Sequence, residues 1–189
     1  MSPMARAATG RKAPNESSKG ETIHASCVAF GARGVLLLGP SGSGKSDLAL
    51  RAVMQERARL VADDRVRLVR RAMGVSAEAP PEAGAAGLLG AIEAYGLGIL
   101  RLPPARRRAR VQLCLAVALV PPDDVERLPG DWQGTAEQEE SKGFEVLGVS
   151  LPLLRLAPFE ASAALKLRLA AHNVRLAAGG RSGSIKRLA

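Results

Sequence analysis

The 189-residue sequence is poor in aromatic residues and has no long apolar run. Aromatic residues make up 3% of it, and because proteins grip unstacked nucleic acid bases by aromatic stacking, we do not expect a nucleic acid partner. The longest apolar run, VQLCLAVALV at residues 111–120, is too short to cross a bilayer. The N-terminus lacks the apolar segment of a signal peptide, so the sequence does not favour a membrane protein.

The chain has two cysteines, Cys27 and Cys114, which do not have the spacing of a metal site. We interpret them as buried thiols in a reducing compartment and predict a cytoplasmic protein. The composition is 47% hydrophobic and 24% charged, as is usual for a globular domain. A chain of this length is expected to form one domain.

The net charge of +9 is concentrated at the two ends of the chain. Residues 1–20 contain four basic residues and one acidic residue, and residues 179–189 contain three basic residues. These segments therefore hold six of the nine net positive charges. Both are rich in glycine, serine and basic residues, so we predict disordered basic tails on either side of a domain at residues 21–178.

One basic cluster remains inside the domain, in the sequence RLPPARRRAR. It can be a solvated loop or a docking patch for an acidic surface or a phosphate group, and the sequence leaves both interpretations open. Its arginines are Arg101, Arg106, Arg107, Arg108 and Arg110.

The clearest motif is GPSGSGKS at residues 39–46, which matches G-x-x-x-x-G-K-[ST]. Its glycines let backbone N–H groups turn inward to bind phosphates, its lysine reaches the β- and γ-phosphates, and its serine hydroxyl binds Mg²⁺. The apolar segment GVLLL precedes it and helical spacing follows, so we expect a solvent-facing loop between a buried strand and a helix. The predicted nucleotide-binding residues are Gly39, Pro40, Ser41, Gly42, Ser43, Gly44, Lys45 and Ser46.

The remaining segments alternate between strand-like and helical patterns, which predicts a single α/β domain. A stretch rich in glycine, alanine and proline is expected to be a loop, a polar stretch is expected to be an excursion, and the last apolar-periodic stretch is expected to be a helix that stops at Gly179. The strands are predicted at residues 26–31, 34–38, 58–64 and 111–120, the loop at 79–87, the excursion at 121–143 and the helix at 158–176.

The sequence RLVADD places Asp63 and Asp64 directly after a short apolar strand. The carboxyl ends of strands meet at the sheet edge where ligands bind, and the phosphate loop lies at that edge. A phosphoryl-transfer enzyme needs a carboxylate there, either to organise a metal or to accept a proton. Aspartate pairs are also common in turns at strand ends, but beside a phosphate loop we favour a functional role.

Three segments, IHASCVAFGARGVLLLGPSGSGKSDLAL, RLVADDRV and IEAYGLGIL, resemble in order and spacing the catalytic domain of HPr kinase/phosphorylase. The resemblance covers roughly residues 22–176 and is to a short form without that family's N-terminal domain. It implies a phosphate-loop kinase domain with a mixed central sheet, of the HPr kinase/phosphoenolpyruvate carboxykinase-like fold. It also implies that the chain uses ATP and Mg²⁺, phosphorylates a serine of the bacterial phosphocarrier HPr, and assembles as a hexamer.

The resemblance also assigns residues. His24, in IHA, matches a catalytic histidine on the strand before the loop, which supports the catalytic aspartate and contacts phosphate. Asp64, the second aspartate of ADD, matches the general base, and Asp63 helps to organise the metal. Glu93 matches a magnesium-binding glutamate, which would share the metal with Ser46.

The resemblance also assigns a residue to the transferring phosphoryl group and shows one departure from the family pattern. Arg127, in ERLP, matches the family's catalytic arginine, and together with Lys45 it would neutralise the charge of that group. Tyr95 stands where the family has an arginine.

The sequence departs from the family pattern before the last helix. Residues 157–162 read APFEAS where the family has an RPGRN-type loop that is important for dephosphorylation. We therefore expect a kinase with reduced or absent phosphorylase activity. Two alternatives stay open, a small-molecule kinase of the phosphate-loop class and a non-catalytic nucleotide-binding regulator.

Overall fold

The computed structural model describes residues 20–126 and 143–174. These residues form a mixed eight-stranded sheet, two small two-stranded sheets and three helices. The strands are β1 Gly20–His24, β2 Ser26–Phe30, β3 Arg33–Leu38, β4 Arg59–Ala62, β5 Arg65–Arg71, β6 Gly74–Glu78, β7 Ala91–Ala94, β8 Gly98–Arg101, β9 Arg110–Leu119, β10 Phe144–Val146, β11 Val149–Leu151 and β12 Leu153–Leu156. The helices are α1 Lys45–Gln55, α2 Pro81–Ala85 and α3 Ala163–Asn173.

The ten-residue strand β9 organises the main sheet. One of its edges pairs in parallel with β3, and its other edge pairs antiparallel with β6 through residues 110–112 and in parallel with β12 through residues 116–119. From this junction the sheet continues through β6 to β5 and β1, and through β3 to β2 and β4. The pairing confirms the predicted α/β class with a mixed central sheet.

The central strand β3 is buried on both faces. Val35 and Leu37 pack in an apolar cluster with residues of α1 and α3, whereas Leu36 packs in a second cluster with residues of β5 and β6. Successive side chains of a strand point to opposite faces, so each face of β3 has its own core. The buried strand that GVLLL predicts before the phosphate loop is confirmed.

The topology brings two strand ends to one edge of the sheet. Strand β2 pairs antiparallel with both β3 and β4, so β3 and β4 run in the same direction. The phosphate loop follows the end of β3, and Asp63 and Asp64 follow the end of β4. The loop and the aspartate pair therefore lie at the same edge, as the sequence predicts.

The loop predicted at residues 79–87 is wrong in that it contains a short helix, and a strand not predicted from the sequence precedes it. Gly74–Glu78 is strand β6, which pairs with β5 and β9, and Pro81–Ala85 is the short helix α2. The sequence GVSAE has little intrinsic preference for a strand, so here pairing on both edges overrides local propensity. The last helix, Ala163–Asn173, is shorter than predicted, and Gly179 lies outside the described residues.

The cysteines are buried free thiols, as predicted. Burial raises the pKa of Cys27, and it raises the pKa of Cys114 to about 11. Across the described ranges, we find no helix with the length and apolarity that a bilayer crossing requires. The predicted tails at residues 1–20 and 179–189 lie outside the described residues, except for Gly20, which begins β1.

The arginines of the basic cluster bind other segments of the chain, and they are exposed or half-buried. Arg106 donates to the carbonyl of Val53 at 2.5 Å, Arg107 to that of Leu89 at 2.6 Å and Arg108 to that of Gly31 at 2.6 Å. Arg101 donates to the carbonyl of Gly87, and Arg110 pairs with Glu78 at 2.9 Å. The cluster therefore tethers neighbouring segments to one another, because its guanidinium groups bind backbone carbonyls and a carboxylate.

Candidate active site

The phosphate loop joins β3 to α1, and two of its glycines are needed for its shape. Gly39 has φ 155° and Gly44 has φ 84°, both in the region that favours glycine. A Cβ atom on Gly39 would lie 2.5 Å from the Ser43 Oγ atom, and one on Gly44 would lie 2.9 Å from the Phe159 ring. The prediction that the motif forms a loop between a strand and a helix is confirmed.

Lys45 begins helix α1 and closes the loop on itself. Its ammonium group donates to the carbonyl of Gly39 at 2.8 Å and to that of Pro40 at 2.7 Å. The residue is 6% exposed, so the expected solvent-facing loop, which is exposed at residues 40–42, ends in a buried lysine. Burial lowers the pKa of Lys45, and the carboxylates of Asp63 and Asp64 act in the opposite direction.

The loop also holds an unsatisfied hydroxyl. The Ser43 Oγ atom is buried and has no hydrogen-bond partner within the part of the chain that the structure describes. Buried polar groups are almost always paired, so an unpaired one inside a phosphate loop fits a site that is completed by a ligand with acceptor oxygens. This observation and the buried Lys45 ammonium both suit the binding of a polyphosphate.

Asp63 is the most connected side chain of the site. Its Oδ1 atom accepts hydrogen bonds from the Ser26 hydroxyl at 2.6 Å and from the Ser46 hydroxyl at 3.0 Å. Its Oδ2 atom accepts one from the backbone N–H of Glu93 at 3.1 Å. The carboxylate, which follows the end of β4, therefore connects this strand with the start of β2, the first turn of α1 and strand β7. Ser26 is not among the residues predicted from the sequence, although a serine at the start of the apolar strand SCVAF is a recognisable polar exception.

Asp64 projects from a strained position next to His24. Its φ of 66° is in the left-handed region, which aspartate tolerates better than most residues. The Asp64 Oδ1 atom lies 3.2 Å from the His24 Nε2 atom, and the Asp64 side chain is 74% exposed. His24 ends β1, so β2 and β3 separate it from the loop, and the prediction that places it on the strand directly before the loop is wrong.

A cavity of about 480 Å³ connects the acidic residues. Asp63, Asp64 and Glu93 all line it, so the structure brings together three of the residues that the sequence assigns. Within residues 20–126 and 143–174, no three histidine, cysteine or acidic side chains are close enough together to hold a metal ion. A metal here would need the Ser46 hydroxyl and oxygens of its ligand beside the carboxylates.

One other position that the resemblance singles out does not join this cluster. Tyr95 is fully exposed at the tip of the β7–β8 hairpin. Arg127 lies outside the described residues. Residues 157–162, the turn with the sequence APFEAS, lie beside the phosphate loop, where Pro158 and Phe159 face Gly44.

A comparison with known protein families shows the family to which the chain belongs. The model of the HPr serine kinase C-terminal domain matches residues 15–157. The chain belongs to this family. The match ends where the turn at residues 157–162 begins, so helix α3 and most of that turn lie beyond it.

Curated relatives of the family support this assignment. The HPr kinase/phosphorylase of Streptococcus thermophilus is 33% identical over 141 residues, which cover 71% of this chain and 41% of that protein. The HPr kinase/phosphorylase of Bordetella pertussis is 36% identical over 115 residues, which cover 57% of this chain and 36% of that protein. The chain thus spans about two fifths of the length of the curated relatives that it matches.

A solved structure shows the same fold. The HPr(Ser) kinase/phosphatase from Coxiella burnetii superimposes with a TM-score of 0.61 at 23% sequence identity, covering 79% of this chain and 92% of that chain. At this identity the likeness concerns the fold alone. It confirms the fold that the sequence resemblance implies.

We predict that the wild type gains stability relative to the Lys45→Met variant as the pH rises. Burial lowers the pKa of Lys45 in the folded protein below its ordinary value of 10.5. The protonated lysine therefore opposes folding below the folded pKa, and the cost is relieved as the pH rises through that pKa toward the unfolded value.

Urea unfolding of both proteins at about pH 7 and about pH 10 measures this difference. Cys27 and Cys114 are present in both proteins, so their titration cancels in the comparison. If the free energy of unfolding of the wild type, relative to that of Lys45→Met, is the same or smaller at the higher pH, the pKa of the lysine is not lowered in the folded protein.

Proposed function

We propose that the chain is an ATP-dependent protein serine kinase that phosphorylates HPr. The observation that carries this proposal is the contact of the phosphate loop with the aspartate pair, in which Ser46 donates to Asp63 at 3.0 Å while Asp64 stands exposed beside it. Membership of the HPr serine kinase family and the names of the curated relatives support HPr as the substrate.

The loop and its neighbours suit a nucleotide with a divalent cation. ATP bound with Mg²⁺ would supply the γ-phosphoryl group and neutralise part of its charge. Ser46 and Asp63 would hold the cation, with Glu93, which lines the same cavity as Asp63, as the third candidate. Lys45 would exchange its two carbonyl partners for phosphate oxygens, which are stronger acceptors for an ammonium group.

Asp64 is the proposed general base. Its Oδ1 atom faces His24, so we assign the proton of the incoming serine hydroxyl to its Oδ2 atom. As the proton moves to Asp64, the serine oxygen forms its bond to the γ-phosphorus and the bond from that phosphorus to the leaving diphosphate breaks. His24 is a positioning residue that fixes the orientation of the carboxylate, and it would also contact phosphate.

Three further proposals concern Arg127, the oligomeric state and the location of the protein in the cell. Arg127 would stabilise the charge of the transferring group, which an arginine does well because its guanidinium group is always charged. A hexameric assembly follows from the resemblance alone. A cytoplasmic location agrees with the two buried free thiols.

We also propose that phosphorylase activity is weak. Attack by inorganic phosphate on phosphoserine brings two anions together and needs cationic partners. In the APFEAS turn, Glu160 pairs with Lys166, and the nearby Arg51 is committed to Asp47 and to the carbonyls of Pro158 and Glu160. The turn therefore offers no uncommitted cation among the residues that the structure describes.

The Asp64→Asn variant tests the proposed function. The amide keeps the shape of the side chain but cannot accept the serine proton, so transfer to HPr should fall by roughly 10²–10⁴-fold while ATP–Mg²⁺ still binds. Initial rates with labelled ATP and calorimetric titration with the nucleotide measure the two effects. The exposed Glu145→Gln on β10 is the matched control and should keep the wild-type rate. Near-normal transfer by Asp64→Asn would show that Asp64 is not the base.

The direction of the reaction is tested with serine-phosphorylated HPr. We expect release of pyrophosphate in the presence of Mg²⁺ and millimolar phosphate to be slower than the forward reaction by about 10²-fold or more, because the cationic partners are missing. Coupled assays on one enzyme preparation measure both rates. Phosphorolysis as fast as phosphorylation would mean that residues outside the APFEAS turn support it.

A further inference from the structure

A second cavity lies against the phosphate loop and shares no residue with the acidic one. Its volume is about 490 Å³. Its walls come from three segments, the loop itself at residues 40–43, the end of β9 and the residues after it at 119–122, and the turn at 157–160. Most of these side chains are apolar, so the cavity favours a flat or apolar group that is attached to whatever the loop binds.

Phe159 is an exposed aromatic side chain in this cavity. It is 71% exposed, although an apolar side chain of this size is more stable when covered. Its ring lies so close to the loop that a Cβ atom on Gly44 would be 2.9 Å from the ring Cζ atom. The ring therefore stands at the point where the loop enters α1, with most of its surface uncovered.

The turn that carries Phe159 is held firmly on both sides of the ring. Arg51 of α1 donates to the carbonyl of Pro158 and, at 3.2 Å, to that of Glu160. The Glu160 carbonyl also accepts the backbone N–H of Ala163 at 3.0 Å. Pro158 is buried, and Phe159 between these anchors is exposed. An exposed ring on an anchored turn is preorganised for stacking, because little conformational entropy is lost when a partner covers it.

We propose that this cavity binds the base of the nucleotide whose phosphates the loop holds, and that Phe159 is the surface on which the base stacks. This proposal rests on the proposed function, since the loop must bind a nucleotide for a base to be present. The base is the favoured occupant because residues 40–43 belong to both the loop and the cavity wall. A ligand anchored by its phosphates therefore has its base within reach of the ring, and every base offers a flat face for stacking.

The test compares ATP with inorganic tripolyphosphate, which carries the phosphates without the base. Calorimetric titration of the wild type and of Phe159→Ala gives both dissociation constants. We expect Phe159→Ala to weaken ATP binding by about 5-fold or more, the effect of losing one stacked base, and to leave tripolyphosphate binding unchanged. Leu165→Ala, which removes an exposed apolar side chain from α3, is the matched control and should change neither constant.

The outcomes separate this proposal from the one on which it rests. If the wild type binds both ligands and Phe159→Ala binds ATP as tightly as the wild type, the base does not stack on Phe159 and the proposed kinase is unaffected. If Phe159→Ala weakens both ligands equally, the ring supports the loop and is not a base platform. If the wild type binds neither ligand, both proposals fail.

A second variant gives an optical readout. Phe159→Trp places an indole on the same turn, and stacking of a base on it should quench its fluorescence when ATP is added. Tripolyphosphate should leave the fluorescence unchanged. The sequence has one other tryptophan, Trp132, so the wild type titrated in parallel supplies the background. Equal responses to ATP and tripolyphosphate would overturn the proposal.

Discussion

The site depends on the carboxylate of Asp63. Three donors from different parts of the chain, the hydroxyls of Ser26 and Ser46 and the backbone N–H of Glu93, share its two oxygens. Hydrogen bonds to a charged group contribute about 1.5–3 kcal/mol each, and Ser26 is fully buried, so its hydroxyl depends on this acceptor. One side chain thus sets the distance between the phosphate loop, the end of β4 and the hairpin that carries Glu93.

The sheet topology makes this contact available. Because β3 and β4 are both antiparallel to β2, their carboxyl ends meet at one edge, and the loop and the aspartate pair face each other there. The loop then lies between two cavities of different chemistry. The acidic cavity contains Asp64 and Glu93, and the apolar cavity contains Phe159. A nucleotide bound across the loop would direct its phosphates toward the first and its base toward the second.

The sequence predicts those features of the fold and the site that depend on residues close together in the chain. The glycine pattern, the apolar strand before the loop and the aspartates after the RLVA strand are local signals, and the structure contains each of them. The features that the sequence does not predict depend on contacts between residues that are far apart in the chain. Ser26 and Asp63 are 37 positions apart, and strand β6 forms from weak strand formers because β5 and β9 pair with its two edges. The carbonyl partners of the arginine cluster are likewise distant in sequence, so the sequence does not predict these hydrogen bonds.

We propose that this chain transfers phosphate from ATP to a serine of HPr. The most direct measurement incubates the purified wild-type chain with HPr, Mg²⁺ and γ-labelled ATP, and locates the label by peptide mass analysis. HPr with its acceptor serine replaced by alanine is the control. We expect label on that serine in intact HPr and none in the control. Tight binding of ATP without any label in HPr would contradict it and would leave the chain as a nucleotide-binding protein that does not act on HPr.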